Sequence, residues 1–377
     1  LFQKEFPWIK VEEVGIPGGS VPLVAERLVT MAAGGTPPEV GWLHPSYVTD
    51  LAEKGILADV TGRAQRDREA PLADFYPGIL DHFRHKNGTY GLPWNSGPTV
   101  TFFNRTLLDR LGIKAPDARE KEGRWDWNAL RDVARAATQG AGDLRTMGLQ
   151  GVSGNLDWFD AWLWQAGGDV FSKDLRACLL NQPPAAEAAQ FLVDLYTRDI
   201  VVPVGDAARL FVGGIESGGV ALRIGIKGQV NQVTERARQA NFRLGMAPVP
   251  RGRAGRATRD GPQAFGLLKE ARQPDAGWDY VRFMAGLETQ KVRFGAKVTV
   301  PVRKAAAKLP EFAGSLEPWE AGDDWIEAAA ATRNLPKPAR YAEIDRTWLE
   351  TWTAITSGQA PVRSALDDVT RQINAML

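Results

Sequence analysis

Short apolar runs that give way to helical patterns recur through this chain, and this alternation constrains its fold more than any other feature. Val21 to Ala33 carries Val24, Leu28 and Met31 on one side and Glu26 and Arg27 on the other, a helix closed by Gly34-Gly35. Pro38 to Leu43 then reads as a strand, and His44-Pro45-Ser46 turns into a helix that stops at Lys54-Gly55. Asp74 to Arg84 predicts a third helix, Asn87-Gly88 the centre of a type I′ hairpin, and Thr89 to Trp94 its returning strand. Thr99 to Phe103 is a strand whose Asn104-Arg105 exit opens the helix Thr106 to Leu111, and a helix follows from Asp126-Trp127 to Ala137. Gly148 to Val152 leaves through Ser153-Gly154 to Asn155, the N-cap of a helix reaching Gln165. Gly218 to Ile224, Gly245 to Pro250 and Ala264 to Leu268 add strands, with helices at Pro184 to Leu195, Val230 to Ala240 and Asp275 to Gln290 and a mostly helical end. The fold class this predicts is α/β, a layer of strands followed by helices.

Length divides that layer. A chain of 377 residues, 44% hydrophobic, exceeds the roughly 250 to 300 residues over which one core grows, so two lobes are expected. Lys+Arg 46 against Asp+Glu 45 leaves a net charge of +1, which provides no global field for nucleic acid or an acidic membrane surface. The single cysteine, Cys178, excludes an internal disulfide, a redox pair or a multi-thiolate metal site made by this chain alone, and its setting between Ala177 and Leu179 is that of a small buried hydrophobe. No run approaches the roughly 18 apolar residues of a membrane span. Leu1, Phe2, Phe6 and Trp8 read as the last turns of a helix broken near Pro7, followed by a strand at Ile9 to Val11 with Val14, so an upstream element is expected before Leu1 and any signal peptide is expected to have been removed.

Enzyme motifs do not appear. The chain has no GxSxG elbow, no GxxxxGK[ST] phosphate loop and no HExxH, so neither catalytic residues nor a cofactor or metal are expected. His82 and His85 would share a helical face without a third ligand and read as a surface pair. The Gly213-Gly214 and Gly218-Gly219 steps precede a strand instead of joining a strand to a helix, unlike a dinucleotide loop. Arg251, Arg253, Arg256 and Arg259 form a basic segment without interleaved aromatics, read as a solvated linker or long hairpin.

What remains is a series of strand exits that each deliver a polar or aromatic group. They are Trp42, His44, Ser46 and Tyr47; Trp94 and Asn95; Asn155, Asp157 and Trp158; Gly225 and Lys227; and Asp260 and Gln263. The carboxyl ends of strands line the ligand crevice of open α/β sheets, so these groups are candidates for one site. Their chemistry suits sugars: aromatic faces pack on the C–H face of a pyranose, while amides, carboxylates and a lysine partner the hydroxyls. Trp42 and Trp158 fit a core role equally well. Trp94 stands beside Pro93, Asn95, Ser96, Gly97 and Pro98, an irregular strand end suited to presenting a ring, whereas Trp162 and Trp164 read as core.

The runs GGTPPEVGWLHPSYVTDLAEKGILADVT, FYPGILDHFRHKNGTYGLPW and FFNRTLLDRLGIKAP, and then WLWQAGGDVF, FVGGIESGGVALRIG, APVPRG, GWDYVRFMAG and TSGQAPVRSALDDVTRQI, together resemble the extracellular solute-binding proteins of bacterial ABC importers, family 1, the sugar-binding group that includes maltose-binding protein. The resemblance covers essentially the whole chain. It implies a two-lobed clamshell of the class II periplasmic-binding type, each lobe a mixed sheet flanked by helices, with its ligand cleft between lobes. Residues 1–100 and 255–308 would form one lobe and 101–254 and 309–377 the other, with crossings near 100–104, 249–259 and 303–312. It adds Arg340 and Tyr341 of the Ala339-Arg340-Tyr341 segment to the candidates. The family often has an aromatic in the Gly225 to Gly228 loop, where this chain has Ile226-Lys227-Gly228, which suggests a polar contact. The family also begins with a strand ahead of its first helix, and that strand is not in this sequence.

The implied function is capture of a mono- or oligosaccharide by hinge closure, outside the cytoplasm, in a periplasm or as a surface lipoprotein. The partners would be ABC permease subunits with their ATPase, and the protein would be a monomer. Two alternatives stay open: the same fold binding a sugar phosphate, polyamine or peptide, for which Arg223, Lys227 and Arg340 offer cations, and a carbohydrate-active enzyme, for which Asp157 and Asp260 are the only carboxylate pair to nominate.

Overall fold

The computed structural model describes residues 1–16, 20–140, 145–152, 154–199, 214–338 and 340–377. Ser153, Ala339 and the stretch Phe211 to Gly213 therefore lie outside the described residues. Its strands, in chain order, are β1 (Val40–Leu43), β2 (Arg84–His85), β3 (Gly88–Thr89), β4 (Leu92–Asn95), β5 (Thr99–Asn104), β6 (Met147–Gln150), β7 (Val220–Ile226), β8 (Leu244–Ala247) and β9 (Gln263–Leu267). The chain divides into two compact units, residues 1–97 with 260–315 and residues 98–259 with 316–377.

The first unit is built on a three-stranded sheet ordered β1-β9-β4, antiparallel throughout. Leu43 opposes Ala264 and Trp42 opposes Phe265, so the two residue sets alternate between faces as the pleat requires. The β4–β9 register shifts between Pro93 and Asn95, because Pro93 has no N–H for the ladder, and this irregularity carries Trp94. Leu43, Val48, Leu51, Leu57 and Phe83 fill the core beneath it.

The second unit has a mixed sheet ordered β6-β7-β5-β8, in which only β6 and β7 run parallel. All six residues of β5 are buried, as expected of an inner strand covered on both faces. Around it Trp125, Trp325 and Trp348 are completely enclosed, and each indole N–H finds an acceptor: Pro248 O at 2.8 Å, Glu320 Oε1 at 2.8 Å and Gly154 O at 2.7 Å. Trp162 and Trp164 are core, and Cys178 is buried with its thiol pKa raised by burial. Among the described residues no helix is long and apolar enough to cross a membrane.

Five local expectations change. The helix expected over Asp74–Arg84 is a 3-10 turn at Leu72–Asp74 and a helix at Pro77–Asp81, because Pro77 restarts the helix with Tyr76 extended before it. Arg84–His85 is instead strand, so His82 and His85 share no helical face: His82 Nδ1 lies 2.8 Å from Gly78 O, and His85 faces Glu53 at 3.2 Å. The hairpin turn falls on Lys86-Asn87, with Lys86 at φ 52°, since Gly88 pairs with His85. Glycine is needed there for another reason: a Cβ would stand 2.8 Å from the Tyr90 ring. Ile9 to Val14 forms no strand among the described residues, for an isolated extended segment has no neighbour to satisfy its backbone. Lastly, Arg251–Arg259 is no solvated loop. Arg251 and Arg256 both bind Glu120, at 2.5 and 2.8 Å, Arg256 also pairs with Glu327, and Arg253 donates to Ala166 O at 2.5 Å.

Candidate functional site

Each unit gathers its share of the candidate residues. In the first, His44 ends β1 in extended backbone and caps the helix Pro45–Glu53, its Nδ1 accepting from Ser46 N at 3.3 Å with Ser46 Oγ 2.9 Å away. Trp42 stacks on the His44 ring, centroids 6.1 Å apart, and the buried Tyr47 hydroxyl donates to Trp42 O at 2.8 Å. Asn95 Nδ2 donates to Gln263 Oε1 at 3.2 Å, a cross-strand pair that fixes both amides. Asp260 is buried and committed: Oδ2 accepts from Ser96 Oγ at 2.5 Å and Oδ1 from Gly97 N at 2.9 Å, which ties down the chain leaving β4.

Trp94 is not presented as an open platform. The Arg293 guanidinium lies 3.9 Å from its ring centroid, Phe265 packs at 5.1 Å, and Gln290 donates to its carbonyl at 2.9 Å. The indole Nε1 and Arg293 Nε are buried without hydrogen-bond partners. Burial holds the Arg293 pKa below its ordinary value. Trp42 and Trp94 also line one recess of about 620 Å³ with Leu28, Phe265 and Tyr280.

The second unit brings its candidates closer together. Asn155 is the N-cap residue of the helix Leu156–Gln165, although Asp345 Oδ1 takes the Leu156 N–H, at 2.9 Å. Asp157, in the first turn, accepts from Lys337 Nζ and from the Tyr341 hydroxyl, both on Oδ1 and both at 2.5 Å, with the Lys337 ammonium 4.0 Å from the Tyr341 ring centroid. Burial alone would push the Asp157 carboxyl up, but Lys337, Tyr341 and Arg259 bring it below the usual value. Burial and then the Asp157 charge raise the Tyr341 hydroxyl well above its own. Neighbouring Trp158 has the Arg259 guanidinium 4.6 Å from its ring centroid, and Arg259 Nε is buried without a partner. One turn on, Asp160 is 3% exposed with Oδ1 unpartnered, and burial followed by the Asp157 charge raises its pKa to about 8.

The remaining candidates have other commitments. Lys227, expected as a polar ligand contact, is wholly buried and paired to Glu320 at 2.5 Å, because β7 delivers it into the packing of Trp325. Gly225 is where a Cβ would come 2.6 Å from the Phe102 ring, so it serves strand packing. Arg340 is engaged by Glu343 at 2.9 and 2.8 Å, and Arg223 by Glu216 at 2.6 Å. Among the described residues, Arg259 and Arg293 are half-buried cations whose Nε finds no hydrogen-bond partner, and the strand-exit reading did not select them. Asp160 was detectable, since it stands three residues after Asp157 on one helical face. Lys337 and Arg293 meet their partners only through long-range packing, with no local signal.

Comparison with known proteins places this arrangement. A putative binding protein of Brucella abortus is 24% identical over 356 residues, covering 93% of this chain and 79% of the relative. The sugar-binding protein MalE of Xanthomonas citri superposes with a TM-score of 0.85 at 19% identity, over 99% of this chain and 91% of that one. An ABC substrate-binding protein of Listeria monocytogenes solved with cycloalternan gives 0.81 at 22% identity, over 100% and 93%. These likenesses establish a mixed α/β fold of the two-domain periplasmic-binding type. The family model described as bacterial extracellular solute-binding protein matches residues 1–291, well over half of the sequence, and the chain belongs to that family.

Proposed function

We propose that this chain is the capture subunit of an ABC importer for a carbohydrate, closing on its ligand by hinge motion and delivering it to membrane permease subunits outside the cytoplasm. The observation that carries the reading is the Asp157 cluster. A carboxylate whose Oδ1 is fixed by Lys337 and Tyr341 keeps Oδ2 to accept from a hydroxyl, beside an indole at Trp158 whose apolar body suits a pyranose. The Xanthomonas neighbour's description as a sugar-binding protein and the cycloalternan complex of the Listeria neighbour support the same class. Asp157, Trp158, Tyr341 and Asn155 in the second unit, with Trp42, His44, Ser46, Tyr47, Asn95 and Gln263 in the first, are the residues proposed to meet ligand.

The unpartnered Arg259 Nε over Trp158 favours a second reading, a sugar carrying an anionic group such as a phosphate. One experiment addresses both: a thermal-shift screen of neutral mono- and oligosaccharides, sugar phosphates, polyamines and peptides. A true ligand at about 100 times its dissociation constant adds roughly 2.7 kcal/mol of stability. Asp157→Asn should weaken a neutral sugar about tenfold or more, the scale of one charge-assisted hydrogen bond. A response confined to polyamines or peptides would sink the carbohydrate reading, and one confined to sugar phosphates would select the second.

A further inference from the structure

The second unit holds a recess of about 600 Å³ that shares no residue with the site proposed above. That volume is in the range of small-molecule sites, roughly 300 to 1,000 Å³. Its apolar wall comes from the edge strand β8 through Met246, with Phe242, Pro248 and Trp319. Trp319 is held in place rather than loose: its Nε1 donates to Thr234 Oγ1 at 3.1 Å and its ring meets Phe102 edge-on at 5.3 Å.

The charges on the lining mostly cancel in pairs. Arg105 binds Asp117 at 2.6 Å, Arg238 binds Glu317 at 2.9 Å, Arg243 binds Asp109 at 2.7 Å, and Glu120 takes both Arg251 and Arg256. Among the described residues, Lys121 and Asp324 are the lining side chains left outside any ion pair. Lys121 is exposed and Asp324 half-buried. The charged groups acting on Asp324 are Glu327, Glu120 and Asp323 against the single cation Arg256, itself held by Glu120 and Glu327. Burial first, and then Glu327 and Glu120, raise the Asp324 pKa to about 7. The recess therefore offers an aromatic wall beside the Asp324 carboxyl, around which carboxylates outnumber cations, a combination that attracts a cation with an apolar body.

We propose that this recess is a second ligand site, taking an organic ammonium whose apolar part packs on Trp319, Phe242 and Met246 and whose cation pairs with Asp324. Because the cation favours the ionised carboxyl, affinity should fall as pH drops through 7. Calorimetric titration of the whole chain compares phenethylammonium with its neutral analogue 2-phenylethanol at pH 8 and pH 5.5. The ammonium should bind at least tenfold tighter than the alcohol at pH 8 and lose about tenfold at pH 5.5. Asp324→Asn should remove the preference for the ammonium, and Phe242→Ala should weaken both probes. Equal affinity for the two probes, or an Asp324→Asn protein with the parent's melting temperature and undiminished ammonium binding, overturns the proposal. Should Asp324→Asn fail to fold, the two-probe, two-pH comparison on the parent and on Phe242→Ala decides it, and binding that Phe242→Ala leaves unchanged in both probes places the ammonium elsewhere.

Discussion

Lys227→Ala is expected to destabilise the second unit by about 3–5 kcal/mol, the usual cost of removing one partner from a buried ion pair. The reason is what it leaves behind. Glu320 has 0% side-chain exposure, as has Lys227, and its carboxylate still accepts from Trp325 Nε1 at 2.8 Å and from Glu317 N at 2.8 Å. Those donors hold the carboxylate in the core but do not neutralise it. Lys227→Met fills more of the space and should recover only the packing part of the loss, whereas Lys227→Met with Glu320→Gln should recover most of the remainder, since the amide oxygen can still accept from Trp325. Urea unfolding followed by tryptophan fluorescence reads all three. A loss below about 1 kcal/mol for Lys227→Ala would mean that the pair is solvated, contrary to its burial.

Asp160→Asn should act in the opposite direction above neutral pH. The Asp160 carboxyl has its pKa raised to about 8 in the folded protein, chiefly by burial, from an ordinary 3.8. The folded state therefore keeps a proton that the unfolded state gives up above pH 4, so stability falls as pH rises between about 4 and 8, at up to about 1.4 kcal/mol per pH unit. Above pH 8 both states are ionised and the penalty stays constant. Asparagine cannot ionise, so the variant should match its parent below pH 4 and exceed it at pH 8.5 by up to about 6 kcal/mol. Asp324, raised to about 7, contributes to the same slope in both proteins, which is why the difference between parent and variant is the quantity to measure. Parallel stability–pH curves for the two proteins would show that Asp160 is solvated and ordinarily ionised.

The two residues also show where reading along the chain falls short. Asp160 follows Asp157 at helical spacing, and its burial follows from the company of Phe159, Trp162 and Leu163 on the helix Leu156–Gln165. Lys227 misled because its position at the end of β7 looks like a loop lip. Only the approach of Trp325 and Glu320, supplied by a distant stretch of chain, turns it inward. Trp94 misled in the same way: the Pro93 irregularity that exposes it locally is covered by Arg293 from the helix Leu287–Gly295.

The order of the main strands and helices, the α/β class, the helix stops at glycine and the core role of Trp162 and Trp164 were determined by the sequence itself, because hydrophobic period, capping residues and backbone-breaking residues act within a few positions. The family was legible from the order of its motifs. The tertiary structure decided which charges are left over. A cation such as Lys227, Arg223 or Arg340 and one such as Arg259 look alike in a sequence, and they differ only in whether folding brings a carboxylate within hydrogen-bonding distance. Electrostatic pairing depends on proximity in space and on loss of water, and neither is encoded at any one position in the chain.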